Sequence, residues 1–182
     1  QHRPFASLSD KFADNCITCT SASKTFNLPG LQTSNIIISN PDIRTRFANT
    51  VHNCGFHSPN IFGAAATEAA YRHGELWLAQ LIEYLEGNIA YVNNYITAEI
   101  PGLKLIKPQG TYLLWLDFRD CGISPKKLGT FVREEAKVGL EPGTIFGCRE
   151  AGFERMNIAC PRSTLSKALD RIADAVNSLK SP

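Results

Sequence analysis

Short apolar runs and helix-start signals follow one another in the amino-terminal part of the chain. Residues 15–20, NCITCT, predict a buried strand, and residues 34–40, SNIIISN, predict a second strand. Pro41 suits the first turn of a helix that would run to about His52. Another helix is expected to open after Ser58-Pro59 and to end near residue 73. This order is typical of an α/β layer.

A long helical stretch is predicted next, reaching to about Glu99. Its apolar residues recur every three or four positions, which is the period of one helix face. They are Leu78, Leu81, Ile82, Leu85, Ile89, Val92 and Ile96. Gly74 and Gly87 are expected to break or bend this stretch, since glycine weakens a helix interior.

The residues after Pro101-Gly102 have the pattern of a small α+β lobe. The predicted strands are 103–107, 111–118, 138–143 and 154–160, and the predicted helices are 124–137 and 163–180. The last helix should bury Leu165, Leu169, Ile172 and Val176. We therefore expect two parts, with residues 1–86 as a piece of an α/β layer and residues 87–182 as the α+β lobe.

Composition and charge narrow the class of protein. Of 182 residues, 43% are apolar and 20% are charged, which is typical of a globular protein. The net charge of +2 is too small, and its basic residues too dispersed, to indicate nucleic-acid binding. No apolar run approaches the roughly 20 residues that span a bilayer, and no signal peptide is recognisable. These features predict a cytoplasmic protein.

The cysteines predict reduced and mostly buried thiols. They are Cys16, Cys19, Cys54, Cys121, Cys148 and Cys160. Cys16 and Cys19 form a C-x-x-C, but no second pair with zinc spacing follows, and on a strand these two side chains would point to opposite faces. No metal site is expected.

Lys24 stands in an unusual setting, "SASKTFNLPG", between an apolar strand and a Pro-Gly turn. A lysine amine reacts with an aldehyde only when it is unprotonated, and burial beside a strand end would lower its pKa. Ser21 and Ser23 supply hydroxyl donors for an anion such as phosphate. The alternative is a strand-to-loop junction whose serines satisfy backbone groups.

Five segments together resemble one enzyme family. They are SASKTFNLPGL, SPNIFGAAATEAAYRHGELWL, PQGTYLLWLDFRD, VGLEPGTIFG and GFERMNIACPRS, in that order along nearly the whole chain. They are similar to the class I/II aminotransferase superfamily, enzymes of fold type I that use pyridoxal 5′-phosphate (PLP). The form S-x-S-K-T-F-N-L-P resembles the MalY/PatB-like cystathionine β-lyase branch. The resemblance implies an α/β fold: the carboxyl-terminal part of a large PLP-binding domain, residues 1–86, followed by a small α+β domain, residues 87–182.

The resemblance also implies roles for four residues. Lys24 would hold PLP covalently and later move the proton on the substrate Cα, with Ser21 and Ser23 on the phosphate side. Arg162, which follows a predicted strand and precedes a serine-capped helix, would bind the substrate carboxylate through two parallel hydrogen bonds. The alternative for Arg162 is a surface arginine whose charge opposes the helix dipole. Gln32 stands where the transaminases often carry a phosphate-binding arginine, which disfavours a transaminase.

Other residues are weaker candidates. Gly110 and Thr111 match a stretch that borders the substrate pocket, and His52 and His57 flank a loop that approaches the partner subunit's cofactor in the family's dimers. Arg155 is assigned to structure. Tyr112 and Trp115, three apart on a strand, are expected to be packing residues.

The resemblance is to the carboxyl-terminal half of such an enzyme, because most of the residues that cradle PLP in the family precede the lysine. The implied reaction is α,β-elimination from an amino acid such as cystathionine, releasing a thiol, pyruvate and ammonia, in a homodimer. Two alternatives stay open: a PLP-dependent aminotransferase, and a non-catalytic truncated module.

Overall fold

The computed structural model describes residues 2–147 and 151–179. The chain divides into two compact units, residues 1–80 and residues 81–182. Cys148, one of the six cysteines considered above, lies outside the described residues.

The first unit contains a two-stranded antiparallel sheet and several helices. Its elements are α1 (Asp10–Ala13), β1 (Thr18–Thr20), β2 (Asn35–Ile37), α2 (Pro41–Asn53), α3 (Ile61–His73) and the first residues of α4 (Glu75–Glu99). β1 and β2 pair with Thr18 opposite Ile37. Both predicted strands exist, but each is only three residues long.

The prediction that the first strand is buried is wrong, and the second strand, β2, is also largely exposed. Ile17 and Ile37 are 43% and 56% exposed. A run of β-branched residues favours the strand conformation, whereas burial depends on what packs on the faces of the sheet. The described residues leave these two side chains open to solvent.

Asparagine side chains start two of the helices. The Asn40 side chain accepts hydrogen bonds from the backbone N–H groups of Asp42 and Ile43, and the Asn60 side chain accepts one from Phe62. These caps satisfy N–H groups that a helix start leaves without partners. Gly74 ends α3 as predicted, but α4 runs unbroken through Gly87.

The second unit contains the rest of α4 and a four-stranded antiparallel sheet. Its other elements are β3 (Lys104–Ile106), β4 (Leu113–Asp117), α5 (Leu128–Glu134), β5 (Glu141–Pro142), β6 (Phe153–Asn157) and α6 (Arg162–Ser178). The strand order is β3-β4-β6-β5. β4 and β6 are central, with Trp115 opposite Arg155.

The helix predicted over 124–137 is shorter in the structure, where α5 begins at Leu128. Residues 124–127 form a turn in which the Lys127 N–H donates to the Ser124 carbonyl.

One hydrophobic core holds the second unit together. It is formed by buried side chains of α4, β4, α5, β6 and α6, including Val92, Leu114, Leu116, Val132 and Met156. The predicted core face of α6 is confirmed, since Leu165, Leu169, Ile172 and Val176 are all buried. The Tyr95 hydroxyl of α4 donates to Asp170 of α6 at 2.5 Å and ties the two helices together at the surface.

Most of the described cysteines are not buried, which corrects the expectation. Cys121 is buried, Cys16 and Cys160 are half-buried, and Cys19 and Cys54 are exposed. Within the described ranges, three or more potential metal-ligating side chains do not cluster anywhere. The helices of these same ranges include none with the length and apolar character needed to cross a membrane.

Candidate active-site residues

Lys24 lies on a single helical turn that follows β1. The Phe26 N–H donates to the Ala22 carbonyl at 2.9 Å, and Ala22 is buried. Residues 22 and 26, four apart, lie on the same side of this turn, so residue 24 falls on the other side. Lys24 is therefore exposed, and the expectation that burial within this chain keeps its amine dry is wrong.

The Ser21 hydroxyl makes two hydrogen bonds within the loop that carries Lys24, residues 21–33, which we call the lysine loop. It donates to the Thr33 carbonyl at 2.7 Å and accepts the Ser23 N–H at 3.1 Å. Its hydrogen is thus used inside the loop, and a phosphate role for Ser21 would require this hydroxyl to turn away from Thr33. The half-buried Ser23 has no side-chain hydrogen bond to any described residue, so its hydroxyl has no protein partner there.

Two further contacts hold the lysine loop in place. The Phe26 ring stacks on Trp77 at 5.9 Å between centroids and meets Tyr71 edge-on at 6.2 Å. Gly63 of α3 packs so closely on the loop that a Cβ there would lie 2.0 Å from the Thr33 Oγ1. The loop that carries Lys24 is consequently anchored at Phe26 and at Thr33.

Arg162 is the first residue of α6, and α4 holds it. Its Nε donates to the Asn88 Oδ1 at 2.7 Å, and its backbone N–H donates to the Tyr84 hydroxyl at 2.8 Å. Its guanidinium carbon lies 4.7 Å from the centre of the Tyr91 ring. Pro161, not a serine, precedes the helix, and it supplies no side-chain cap. Arg162 is half-buried, and no described carboxylate lies within salt-bridge distance of it.

Arg155, unlike Arg162, is paired with a carboxylate among the described residues. Its Nε donates to the Glu141 carboxylate at 2.6 Å, and its guanidinium lies over the Phe146 ring. This ion pair joins β5 to β6. The geometry agrees with a structural role for Arg155.

The weaker candidates have mixed surroundings. Thr111 is exposed and has a φ of 68°, a left-handed conformation that is unusual for a β-branched residue. Its hydroxyl accepts the Leu113 N–H at 3.2 Å.

His52 and His57 are exposed, and the centres of their rings lie 5.0 Å apart in an edge-to-face arrangement. Gln32 has a φ of 50° at the end of the turn Pro29–Leu31. Their functional roles, and that of Gly110, stay predictions.

The packing residues behaved as expected. Trp115 stacks on Phe153 at 5.7 Å, and Tyr112 packs against the hydrophobic core.

Sequence analysis missed the three α4 residues that hold Arg162. Tyr84, Asn88 and Tyr91 are four and three residues apart, so they share one helix face. A polar asparagine in an otherwise apolar stripe was the available signal. That spacing does not show that Asn88 contacts Arg162, which lies 74 residues further along the chain.

Residues 4–172 match the family model described as aminotransferase class I and II. The chain therefore belongs to the class I and II aminotransferase family. It is 43% identical over 177 residues to the cystathionine beta-lyase PatB of Bacillus subtilis strain 168, covering 97% of this chain and 46% of that protein. It is 36% identical to the protein MalY of Escherichia coli K12, covering 88% of this chain and 42% of that protein.

A solved structure also aligns closely. Cystalysin from Treponema denticola, whose structure contains a pyridoxal 5′-phosphate cofactor, superposes with a TM-score of 0.93 at 36% identity, covering 98% of this chain and 45% of cystalysin. The predicted family and fold are thereby confirmed. The chain spans about half the length of the curated relatives that it matches.

Proposed function

We propose that this chain provides the covalent lysine and the carboxylate-binding arginine of a PLP-dependent C–S β-lyase. The reaction would be α,β-elimination from cystathionine or a related cysteine S-conjugate, giving a thiol, pyruvate and ammonia. The similarity to cystathionine beta-lyases at 43% and 35% identity supports this choice of reaction. Residues 1–86 would be the end of the large PLP-binding domain and residues 87–182 the small domain.

The observation that carries the proposal is the environment of Arg162. Arg155 is paired with a carboxylate of the protein, that of Glu141. Arg162 is instead oriented by a neutral amide and an aromatic ring, and its charge is left for a ligand. A guanidinium recognises a carboxylate through parallel hydrogen bonds, and the α-carboxylate of an amino acid is such a ligand.

The residues of the lysine loop fit an aldehyde that carries a phosphate. The amine of Lys24 is exposed and can reach an aldehyde, and the hydroxyl of Ser23 is available as a donor to phosphate oxygens. Lys24 and Ser23 would hold PLP, with Ser21 as a further donor if its hydroxyl turns. PLP when bound supplies an electron sink for the carbanion formed at the substrate Cα.

The chain's own residues would then do two things. Arg162 fixes the substrate through its carboxylate and so sets the direction of the Cα–H bond. The Lys24 amine, freed from its covalent partner, takes the proton from Cα as a general base. Water exclusion at Lys24 would have to come from groups other than those of its own turn, because this residue is exposed in its own unit.

The proposal also covers the oligomeric state, the cellular location, the substrate and the partners. We include a homodimer with the loop at residues 54–63 near the partner subunit, a cytoplasmic location, and a small amino acid as substrate, with neither nucleic acid nor membrane as a partner. The surface exposure of Phe56, Ile61 and Phe62 supports the dimer.

The Lys24 assignment is tested first on the 182-residue chain. PLP is added, the adduct is reduced with borohydride, and the modified residue is located by mass spectrometry. Modification is expected at Lys24 and is expected to disappear in Lys24→Ala, with the exposed Lys11 and Lys107 as internal controls of surface reactivity. Uniform labelling of all lysines, or none at Lys24, would contradict a PLP-binding role for this chain and favour the non-catalytic module.

The reaction is tested in the full-length gene product that contains this chain, which we call the complete enzyme. Pyruvate and thiol release from cystathionine is expected, and Lys24→Ala should abolish it. An aminotransferase uses the same lysine and arginine but needs a keto acid as second substrate. Keto-acid-dependent turnover without pyruvate release would replace the lyase with that alternative.

A further inference from the structure

Asn88 is a fully buried polar residue whose hydrogen bonds all lead to the segment around Arg162. It is 0% exposed. Its Nδ2 donates to the carbonyl of Ile158 at 2.9 Å and reaches that of Cys160 at 3.5 Å, while its Oδ1 accepts from the Arg162 Nε. We propose that Asn88 is a positioning residue that makes Arg162 bind the substrate carboxylate end-on, through Nη1 and Nη2. This inference rests on the proposed function.

The orientation of the Asn88 amide is determined by its surroundings. Rotating the amide by half a turn would place Oδ1 against two carbonyl oxygens and Nδ2 against the N–H of the arginine. Both contacts would be repulsive in a buried site. Only one orientation therefore satisfies all the groups, and it directs Oδ1 at Nε.

A guanidinium can bind a carboxylate in two bidentate ways. One uses Nε together with one Nη, and the other uses Nη1 together with Nη2. Because Asn88 occupies Nε at 2.7 Å, the first edge is already filled. The terminal edge is the one left for a ligand.

Two more features of α4 restrict the guanidinium. The Tyr91 ring covers one face of it. Gly87 lies beside it, and a Cβ at that position would be 3.3 Å from the Arg162 Nη2, closer than ordinary contact. The glycine thus leaves room for the guanidinium beside the helix. One turn of α4 therefore contacts the Nε edge of the guanidinium through Asn88, packs the Tyr91 ring against it, and leaves space beside it at Gly87.

The Tyr84 hydroxyl strengthens the same arrangement from the backbone side. It donates to the Cys160 carbonyl at 3.1 Å and accepts the N–H of Arg162. The turn between β6 and α6 is thereby fastened to α4 at two points. The position of the arginine Cα, as well as its side-chain direction, follows from α4.

A purely structural role for Asn88 makes different predictions. If the amide only satisfied the carbonyls of Ile158 and Cys160, its loss would lower stability and would weaken every ligand alike. If it positions Arg162, its loss should weaken ligands that carry a carboxylate and spare those that do not.

The variant Asn88→Leu is tested in the complete enzyme with PLP bound. L-alanine and ethylamine, which differ by the carboxylate, are titrated and followed by the cofactor's absorbance. Alanine binding should weaken by about tenfold or more, the size expected for losing a hydrogen bond to a charged group, and ethylamine binding by less than about twofold. Asn94→Leu, an exposed asparagine of the same helix, is the matched control and should change neither.

Two results would overturn the inference from these titrations. Equal weakening of both ligands would assign Asn88 to structure, and unchanged alanine binding would remove it from the site. Arg162→Lys is measured in parallel. If that variant binds alanine normally, the carboxylate role of Arg162 in the proposed function fails; if it weakens alanine while Asn88→Leu does not, only the positioning role fails.

A crystal structure of the unaltered complete enzyme with alanine bound tests the geometry without any variant. The carboxylate oxygens should lie within hydrogen-bond distance of Nη1 and Nη2, with the Asn88 Oδ1 still on Nε. A carboxylate bound to Nε, or Asn88 turned away from the arginine, would contradict end-on binding.

Discussion

At the scale of single residues, one carboxyl oxygen in the described part of the chain is buried without a hydrogen-bond partner. Glu154 of β6 is 1% exposed, and its Oε1 has no hydrogen-bond partner among the described residues. Gly129 of α5 lies above it, and a Cβ there would be 3.7 Å from Oε1. A carboxyl group in such a place is held in its neutral form, because the charged form is poorly solvated. Burial raises the pKa of Glu154 to about 7.

This raised pKa predicts a stability that falls as the pH rises. Below about pH 4.5, the ordinary value, the group is protonated in both the folded and unfolded states and has no effect. Between about 4.5 and 7 the unfolded state releases the proton first, so folding is increasingly penalised, by up to roughly 3 kcal/mol at about 1.4 kcal/mol per pKa unit. The free energy of unfolding of Glu154→Gln, relative to that of the unaltered chain, should therefore increase as the pH rises.

The measurement is denaturant unfolding of the chain at several pH values. The free-energy difference between Glu154→Gln and the parent should grow up to about pH 7 and then level off. Glu135→Gln, which changes an exposed glutamate of the same unit, should give a small difference that does not follow this profile. A difference for Glu154→Gln that is the same at every pH would show that the carboxyl is not buried as described.

The two arginines around β6 also differ at this scale. Arg162→Lys keeps the positive charge but loses the planar guanidinium that can form two parallel hydrogen bonds to a carboxylate. The kcat/KM of the complete enzyme should therefore fall by about tenfold or more. Arg155→Lys should change kcat/KM much less, because Arg155 is engaged with Glu141. A damaging Arg155→Lys beside a silent Arg162→Lys would reverse the two assignments.

At the scale of elements, glycines place helices against loops. Gly63 of α3 is buried against Thr33, and the Thr33 carbonyl holds the Ser21 hydroxyl. Alanine is the better helix former by about 1 kcal/mol, so propensity alone favours a stabilising Gly63→Ala change. The contact at 2.0 Å with Thr33 Oγ1 and the one at 3.0 Å with the Leu31 carbonyl oppose it.

The steric term should win at Gly63. The short threonine side chain and a backbone carbonyl can yield little, and overpacking of this kind costs about 1–3 kcal/mol. Gly63→Ala is expected to unfold more easily and to give less reductive PLP labelling at Lys24, because the loop is displaced. The control Ala64→Gly, at an exposed neighbour, should lose stability through propensity alone and leave the labelling unchanged. Normal labelling in Gly63→Ala would mean that the loop does not depend on α3.

At the scale of the whole molecule, apolar side chains are exposed around the start of α3. Phe56, Ile61 and Phe62 are 58%, 77% and 73% exposed. Neighbouring exposed apolar residues of this size commonly mark an interface. We expect the 182-residue chain to self-associate through this surface.

Sedimentation velocity over a range of concentrations measures this association. The double variant Ile61→Ser/Phe62→Ser should shift the chain towards monomer, whereas Ile145→Ser, which changes a residue 63% exposed in the other unit, should not. A parent chain that stays monomeric at the highest concentration would contradict an interface at this surface.

The sequence by itself determined the positions of α2, α3, α4 and α6, the core face of α6 and the family. Helix ends depend on local groups, such as the asparagines that begin α2 and α3, and a helix face depends on a spacing of three and four. The five family segments likewise are contiguous stretches. All of these can be read from neighbouring residues.

Tertiary structure alone decided the environments of the chemically important groups. The exposure of Lys24 follows from the turn that points Ala22 and Phe26 inward. The pairing of Asn88 with Arg162 joins residues 74 positions apart. The burial of Glu154 requires α5 to lie over β6. A side chain's solvation and partners are set by whatever the folded chain brings beside it, and a pattern of neighbouring residues does not contain that information.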